Sequence, residues 1–350
     1  MKLYRYIIYI SIVTALIFTS CKKEIEFRGE ISEPLIVLNS FLNTDSLIVV
    51  KLSKSKFFLS NQTKYDNVNN AEISLYINSQ YKEKLTFISE GNYSSSIKPT
   101  VGDTVALSVL VDSYDEIKTS SIMPENVIIL SSDTTYTFTN VEYDVIYDEI
   151  MYGEMMYDET IQGDTIAINK SGYLNFRIHI KDPSLQPNYY RLILKNIQVY
   201  KHNGNEFRRS TFFVPINLEG FEDVNGSVLG MITGEEQMSI QQLFTDEMFN
   251  GKEFSLKFKT NYMKQIILPA YNEYFPGGLL PEPETTMEES YTVNLQSISK
   301  EMYLYLKSKE EAESTMNGLF TEPVQVYNNI TNGVGILGSY TNNEVTFEMK

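Results

Sequence analysis

Leu174-Asn175-Phe176-Arg177-Ile178-His179-Ile180-Lys181 alternates apolar and polar side chains without a break. Successive side chains of a strand point to opposite faces, so this stretch is predicted to be a strand with one buried and one wet face. Asp182-Pro183 to Pro187-Asn188 carries turn chemistry, and Tyr189–Tyr200 reads as the returning strand. The same β-branched and aromatic character recurs at Phe207–Val214, Phe254–Phe258, Tyr262–Leu268, Tyr291–Ser297, Val324–Tyr327 and Val345–Phe347. Two short helices are expected among these strands. Ser239 to Phe249 sets Ile240, Leu243, Phe244 and Met248 at helical spacing with Asn250-Gly251 as a stop, and Ser299 to Ala312 does so with Met302, Tyr303 and Leu306.

Upstream the pattern tightens. Leu35–Leu42, Leu47–Leu52, Ile73–Ile77, Leu85–Ile88, Tyr93–Ile97, Thr104–Val111 and Glu116–Ile122 are seven strand-like runs separated by Asn, Asp, Ser and Gly. Short strands at that spacing suggest an immunoglobulin-like β-sandwich over residues 34–124. Met123-Pro124-Glu125 marks its expected end, and residues 125–350 form a larger β-rich domain with the two helices. The fold class is therefore mainly β.

Residues 1–20 have a different character. Lys2 and Arg5 precede an apolar run from Ile7 to Phe18, too short to span a bilayer and fitting a secretory signal peptide. Thr19, Ser20 and then Cys21, the single cysteine, resemble the lipobox of bacterial lipoproteins, although Phe18 stands where Leu is usual. That resemblance makes Cys21 the lipidated first residue of the mature chain, with residues 21–33 as a tether. Lys22, Lys23, Glu24, Ile25 and Glu26 resemble the surface-export signals of Bacteroidetes lipoproteins, while a plain solvated tether has the same composition. The expected location is the outer membrane, held by lipid, on the cell surface.

Of 350 residues, 45 are acidic and 29 basic, a formal net charge of −16. This surplus argues against nucleic acid as a partner, because affinity for phosphates comes from Lys and Arg. One cysteine excludes a disulfide framework and a Cys-based zinc site, and two histidines leave little for His-centred chemistry. No catalytic, cofactor or metal-ligating motif stands out, so no enzyme activity, cofactor or metal is expected. The 45 acids still leave a two-carboxylate glycosidase open, since spacing in space is invisible here. Gly333-Val334-Gly335-Ile336-Leu337-Gly338 matches the dinucleotide pattern on paper, but only twelve residues follow it. These glycines are predicted to let a terminal strand bulge or approach a neighbour closely. Arg177 and His179 are expected to share an exposed polar face.

Two segments are candidates for binding. No Lys or Arg occurs at positions 119–169, and from 141 to 160 acids interleave with aromatics and Met. Like charges at this density predict an extended acidic loop. Tyr143, Asp144, Tyr147, Asp148, Tyr152 and Tyr157 are its candidate contacts for a ligand or partner; a solvated insertion is the plainer reading. Tyr271, Tyr274 and Phe275, in a second loop over 271–290, carry the same two readings. Ser46, Thr104, Thr134 and Thr165 each follow an Asp, resembling the O-glycosylation sequon of exported Bacteroidetes proteins, and equally fitting turns that lead into strands.

The Leu35–Leu42 strand, the Asp182-Pro183 to Leu192 hairpin, Phe249-Asn250-Gly251-Lys252, Ser299–Ser308, and Glu322–Ile330 leading into Asn332–Gly338 occur in an order that resembles one family. It is an uncharacterised family of Bacteroidetes outer-membrane lipoproteins, domain of unknown function 4249. Members tend to accompany TonB-dependent receptors. The resemblance implies a lipid-anchored accessory protein that binds a ligand or docks on such a receptor for nutrient uptake. A structural or adhesive surface lipoprotein is the alternative, and a degradative surface enzyme the third reading.

Overall fold

The computed structural model describes residues 33–57, 64–146, 165–183, 186–221, 239–268, 285–316 and 324–349. Residues 35–55 and 62–350 form one compact unit. Its first strands are β1 (Ile36–Asn43), β2 (Val49–Lys54), β3 (Glu72–Ile77), β4 (Gln80–Lys84), β5 (Thr86–Ser89), β6 (Asn92–Ser94), β7 (Thr104–Leu110) and β8 (Ile117–Ile122). Then follow β9 (Ile128–Ile146), β10 (Thr165–Lys181), β11 (Tyr189–His202), β12 (Asn205–Val214), β13 (Asn217–Leu218), β14 (Gln241–Thr245), β15 (Glu253–Leu268) and β16 (Thr285–Ile298). Helix α1 (Lys300–Met316) and β17 (Val334–Met349) close the chain.

A nine-stranded sheet runs through the unit in the order β12-β11-β16-β17-β1-β2-β6-β5, with β14 also on β11. Its centre is the parallel pair β1–β17, from Val37 opposite Val334 to Asn43 opposite Tyr340. Two four-stranded sheets cover it. Sheet β4-β3-β7-β8 packs on the N-terminal strands, where Leu38, Val50, Leu52, Leu75, Val105, Leu107 and Ile117 share one core. Sheet β13-β15-β10-β9 packs on the C-terminal strands, where Leu174, Phe176, Ile178 and Ile180 meet Tyr190, Leu192, Val293 and Leu295. The alternation that opened the sequence reading holds: the apolar set of β10 is buried. Arg177 lies 3.8 Å from Asp133 and His179 Nε2 lies 3.3 Å from Glu253 on the other face.

The last glycine run answers to this pairing. Gly335 lies opposite Leu38 with a φ of +121°, and a Cβ there would stand 2.0 Å from the Leu38 carbonyl oxygen. A Cβ at Gly338 would stand 3.0 Å from the Met302 Cβ, which lets α1 lie close on β17. These glycines are close-approach positions, as the sequence predicts.

Only one of the two expected helices forms. Ser299 caps α1: its hydroxyl accepts the Met302 N–H at 3.2 Å and the Ser339 N–H at 3.3 Å. Met302, Tyr303 and Leu306 bury against Leu243 and Ile298 on the sheet face away from β10. Replacing Ser299 by Ala is expected to cost about 1–2 kcal/mol, read as a lower urea midpoint with an unchanged slope. The predicted helix over 239–249 is instead strand β14, antiparallel to β11 from Tyr189–Thr245 to Ile193–Gln241, followed by a turn. Gln242 and Phe244 bury toward one layer and Leu243 toward the helix, while Ile240 and Met248 stay exposed. A strand buried on both faces gives an apolar run that periodicity cannot tell from a helix.

Two further expectations change. Val324–Tyr327 is irregular, its Tyr327 N–H donating to the Ser308 hydroxyl at 2.8 Å rather than to a strand. The acidic segment from 141 is not all loop, because β9 continues to Ile146 and pairs with β10. Val141, Tyr143, Val145 and Ile146 have strong strand propensity, which favours extending the ladder through this stretch.

Candidate functional site

Among the described residues, a concavity lies on the outer face of sheet β4-β3-β7-β8. Inward residues of β3, β7 and β8 fill the core, which leaves Tyr76, Ala106, Ser108, Lys118 and Ser120 facing out as a floor of mostly small side chains. The irregular segment 324–331 forms one wall. Its Thr331 N–H donates to the Lys118 carbonyl at 2.9 Å, and Asn329 bridges the Ser120 carbonyl at 3.3 Å to the Leu337 carbonyl at 2.9 Å. Glu301, in the first turn of α1, completes the rim. The groove encloses about 570 Å³, within the range of small-molecule sites.

Its chemistry is polar with aromatic sides. Glu116 accepts from the Ser108 hydroxyl at 2.7 Å and pairs with Lys118 at 2.9 Å, and both hold its carboxyl below the usual range. Burial pushes the Tyr327 phenol up, and the nearby Glu301 carboxylate adds to it. Thr119 also lines the groove, and its buried hydroxyl has no hydrogen-bond partner among the described residues. Tyr76 meets Tyr81 edge-on at 5.8 Å. The arrangement offers hydroxyls, carboxylates, one ammonium and two phenol rings to a polar ligand of modest size.

None of these residues was a candidate from the sequence. They come from β3, β7, β8, α1 and the segment before β17, and only the fold brings them together. The Ser299–Ser308 and Glu322–Ile330 runs, named above for their family resemblance, hold three of its lining residues, Glu301, Tyr327 and Asn329.

Of the sequence candidates, Tyr143 and Asp144 lie on β9, opposite Ile168 and Ala167. Tyr147, Asp148, Tyr152, Tyr157, Tyr271, Tyr274, Phe275 and Cys21 lie outside the described residues. The strands on either side of residues 147–164 and 269–284 nonetheless share one end: Ile146 is opposite Thr165, Ile166 opposite Leu268, and Thr285 opposite His202. Below that end a layer of tyrosines joins the two sheets. Tyr136 and Tyr262 are 5.1 Å apart, Tyr262 and Tyr291 6.4 Å, and the Tyr291 hydroxyl reaches Glu289 at 3.4 Å. Burial raises the Tyr262 and Tyr291 phenols well above their ordinary range, with Tyr136 adding to the first and Glu289 to the second. Of the residues matching the glycosylation pattern, Ser46 is exposed in a turn, Thr104 is half-buried, and the Thr134 hydroxyl donates to the Asn175 carbonyl at 3.0 Å. Thr165 begins β10.

Comparison with known families settles the relationship. Residues 22–346 match the family described as Domain of unknown function (DUF4249). The chain belongs to this family. The DUF4249 match takes in the residues of the groove and of the tyrosine layer. No curated protein matches the chain. Among the described residues, no helix is long and apolar enough to cross a membrane.

Proposed function

We propose that this DUF4249 protein is a lipid-anchored outer-membrane accessory protein that holds a ligand in the groove beside Tyr76 and Tyr327 and presents it to a TonB-dependent receptor. The observation that carries the reading is the groove itself: about 570 Å³ lined by polar groups and two tyrosines, with one wall tied to β8 by the Thr331 N–H and the Asn329 amide. Such preformed concavities bind small molecules without large rearrangement. The leader and Cys21 supply the anchor in this reading, and anchoring raises the local concentration beside the receptor.

The test is purification of the tagged, lipidated protein from membranes in mild detergent. A stoichiometric outer-membrane barrel is the expected companion. Recovery of the lipoprotein alone, under conditions that preserve a known receptor complex, would overturn the receptor role. Tyr76→Ala with Tyr327→Ala is expected to keep the barrel and to lower ligand-dependent uptake about tenfold or more, the effect typical of losing buried aromatic contacts. Uptake equal to wild type would remove the groove from the mechanism.

A further inference from the structure

Of the two edge strands of the nine-stranded sheet, both exposed, β12 carries three phenylalanines where β5 carries one. It ends the sheet, and among the described residues it pairs only with β11. Eight of its ten residues are exposed, including Phe207 at 61%, Phe212 at 49% and Phe213 at 59%. Phe212 and Phe213 are adjacent, so rings stand on both faces beside an unpaired backbone edge. Natural sheets ordinarily blunt such an edge, because it is a template for another strand.

The sequence of β12 is complementary to itself. Arginines occupy its first half, as Arg208 over the Tyr200 ring at 5.4 Å and Arg209 paired with Glu206 at 2.8 Å, and phenylalanines its second. Antiparallel pairing about a two-fold axis must set residues of the same face opposite each other, which limits the register. An axis at Ser210 sets Arg208 opposite the partner's Phe212. An axis at Thr211 sets Arg209 opposite the partner's Phe213 and Thr opposite Thr. Both are favourable cross-strand pairs; an axis at Arg209 would oppose like charges.

We propose that two copies of this chain associate head to head through β12, joining their sheets into one.

The test uses the full chain in detergent. Sedimentation equilibrium is expected to give the protein mass of two chains. Phe212→Arg with Phe213→Arg sets arginine against arginine in either register and touches only exposed side chains. It is expected to raise the dimer dissociation constant at least about tenfold with an unchanged circular dichroism spectrum. Under mild oxidation, Ser210→Cys or Thr211→Cys is expected to form an intermolecular disulfide that wild type, with Cys21 alone, does not. A single-chain mass at 100 µM would overturn the proposal. So would a dimer that survives the double arginine variant while neither introduced cysteine cross-links.

Discussion

Gly335→Ala is expected to lose about 3–5 kcal/mol, a large fraction of the roughly 5–15 kcal/mol that stabilises an ordinary domain. Two causes add. A residue with a Cβ is strained at a φ of +121°, by about 1–3 kcal/mol, and the new carbon would stand 2.0 Å from the Leu38 carbonyl oxygen. Backbone cannot move aside as a flexible side chain can, so relief means separating β17 from β1, the pair on which both halves of the large sheet depend. Gly204, in the turn between β11 and β12, provides the control. Its φ is +77°, but a Cβ there meets nothing within 4 Å, so Gly204→Ala is expected to cost only about 1 kcal/mol. Urea midpoints of the two variants compare them directly, and equal losses would show that the contact with Leu38 is irrelevant.

Asp182→Ala is expected to be nearly as damaging, about 3–5 kcal/mol, while Asp246→Asn should be neutral or stabilising at pH 7. Both aspartates are buried, at 2% and 1% exposure, and the Asn188 amide lies 3.3 Å from both. Their surroundings differ. Asp182 accepts the Tyr190 hydroxyl and, at 2.7 Å, the Gly251 N–H, so it ties the turn after β10 to the turn before β15. Its removal leaves buried donors without an acceptor. The Asp246 carboxyl is raised above its usual range by burial first; the hydrogen bond with the Asn188 backbone opposes this, and the neighbouring Asp182 adds to it. The folded protein therefore binds this proton more tightly than the unfolded chain does. Its contribution to stability is fully present below the unfolded carboxylate pKa and is lost as pH rises through the folded one. Denaturation between pH 4 and 8 should show a flatter profile for Asp246→Asn. A loss equal to that of Asp182→Ala would disprove the asymmetry.

Where one face of a strand was buried and the other wet, the residues announced the structure. The alternation from Leu174 to Lys181, six of the seven N-terminal runs with a core face, and the Met302-Tyr303-Leu306 stripe of the helix expected from Ser299 all correspond to observed elements. The misreading at Gln241–Thr245 came from burial on both faces, which erases the period of two. The continuation of β9 into the acidic segment was hidden because charge density suggested a loop while Val141, Val145 and Ile146 favoured a strand. The groove was invisible for a different reason. Tyr76, Lys118, Glu301 and Tyr327 become neighbours only when β17 returns to β1, and no local pattern records a contact over that separation.

That return has a consequence for how the protein comes into being. Val37 waits for Val334, almost the whole chain away. At the usual elongation rates of about 5–20 residues per second, β1 emerges from the ribosome roughly 15–60 s before its partner exists. During that interval the N-terminal strands have an open, apolar edge that can find the wrong neighbour, and closing so distant a pair is intrinsically slow. Newly made chains should therefore lean on a holding chaperone until the final strand arrives. Truncations that remove β17 should be cleared or aggregate, however complete the preceding sequence looks.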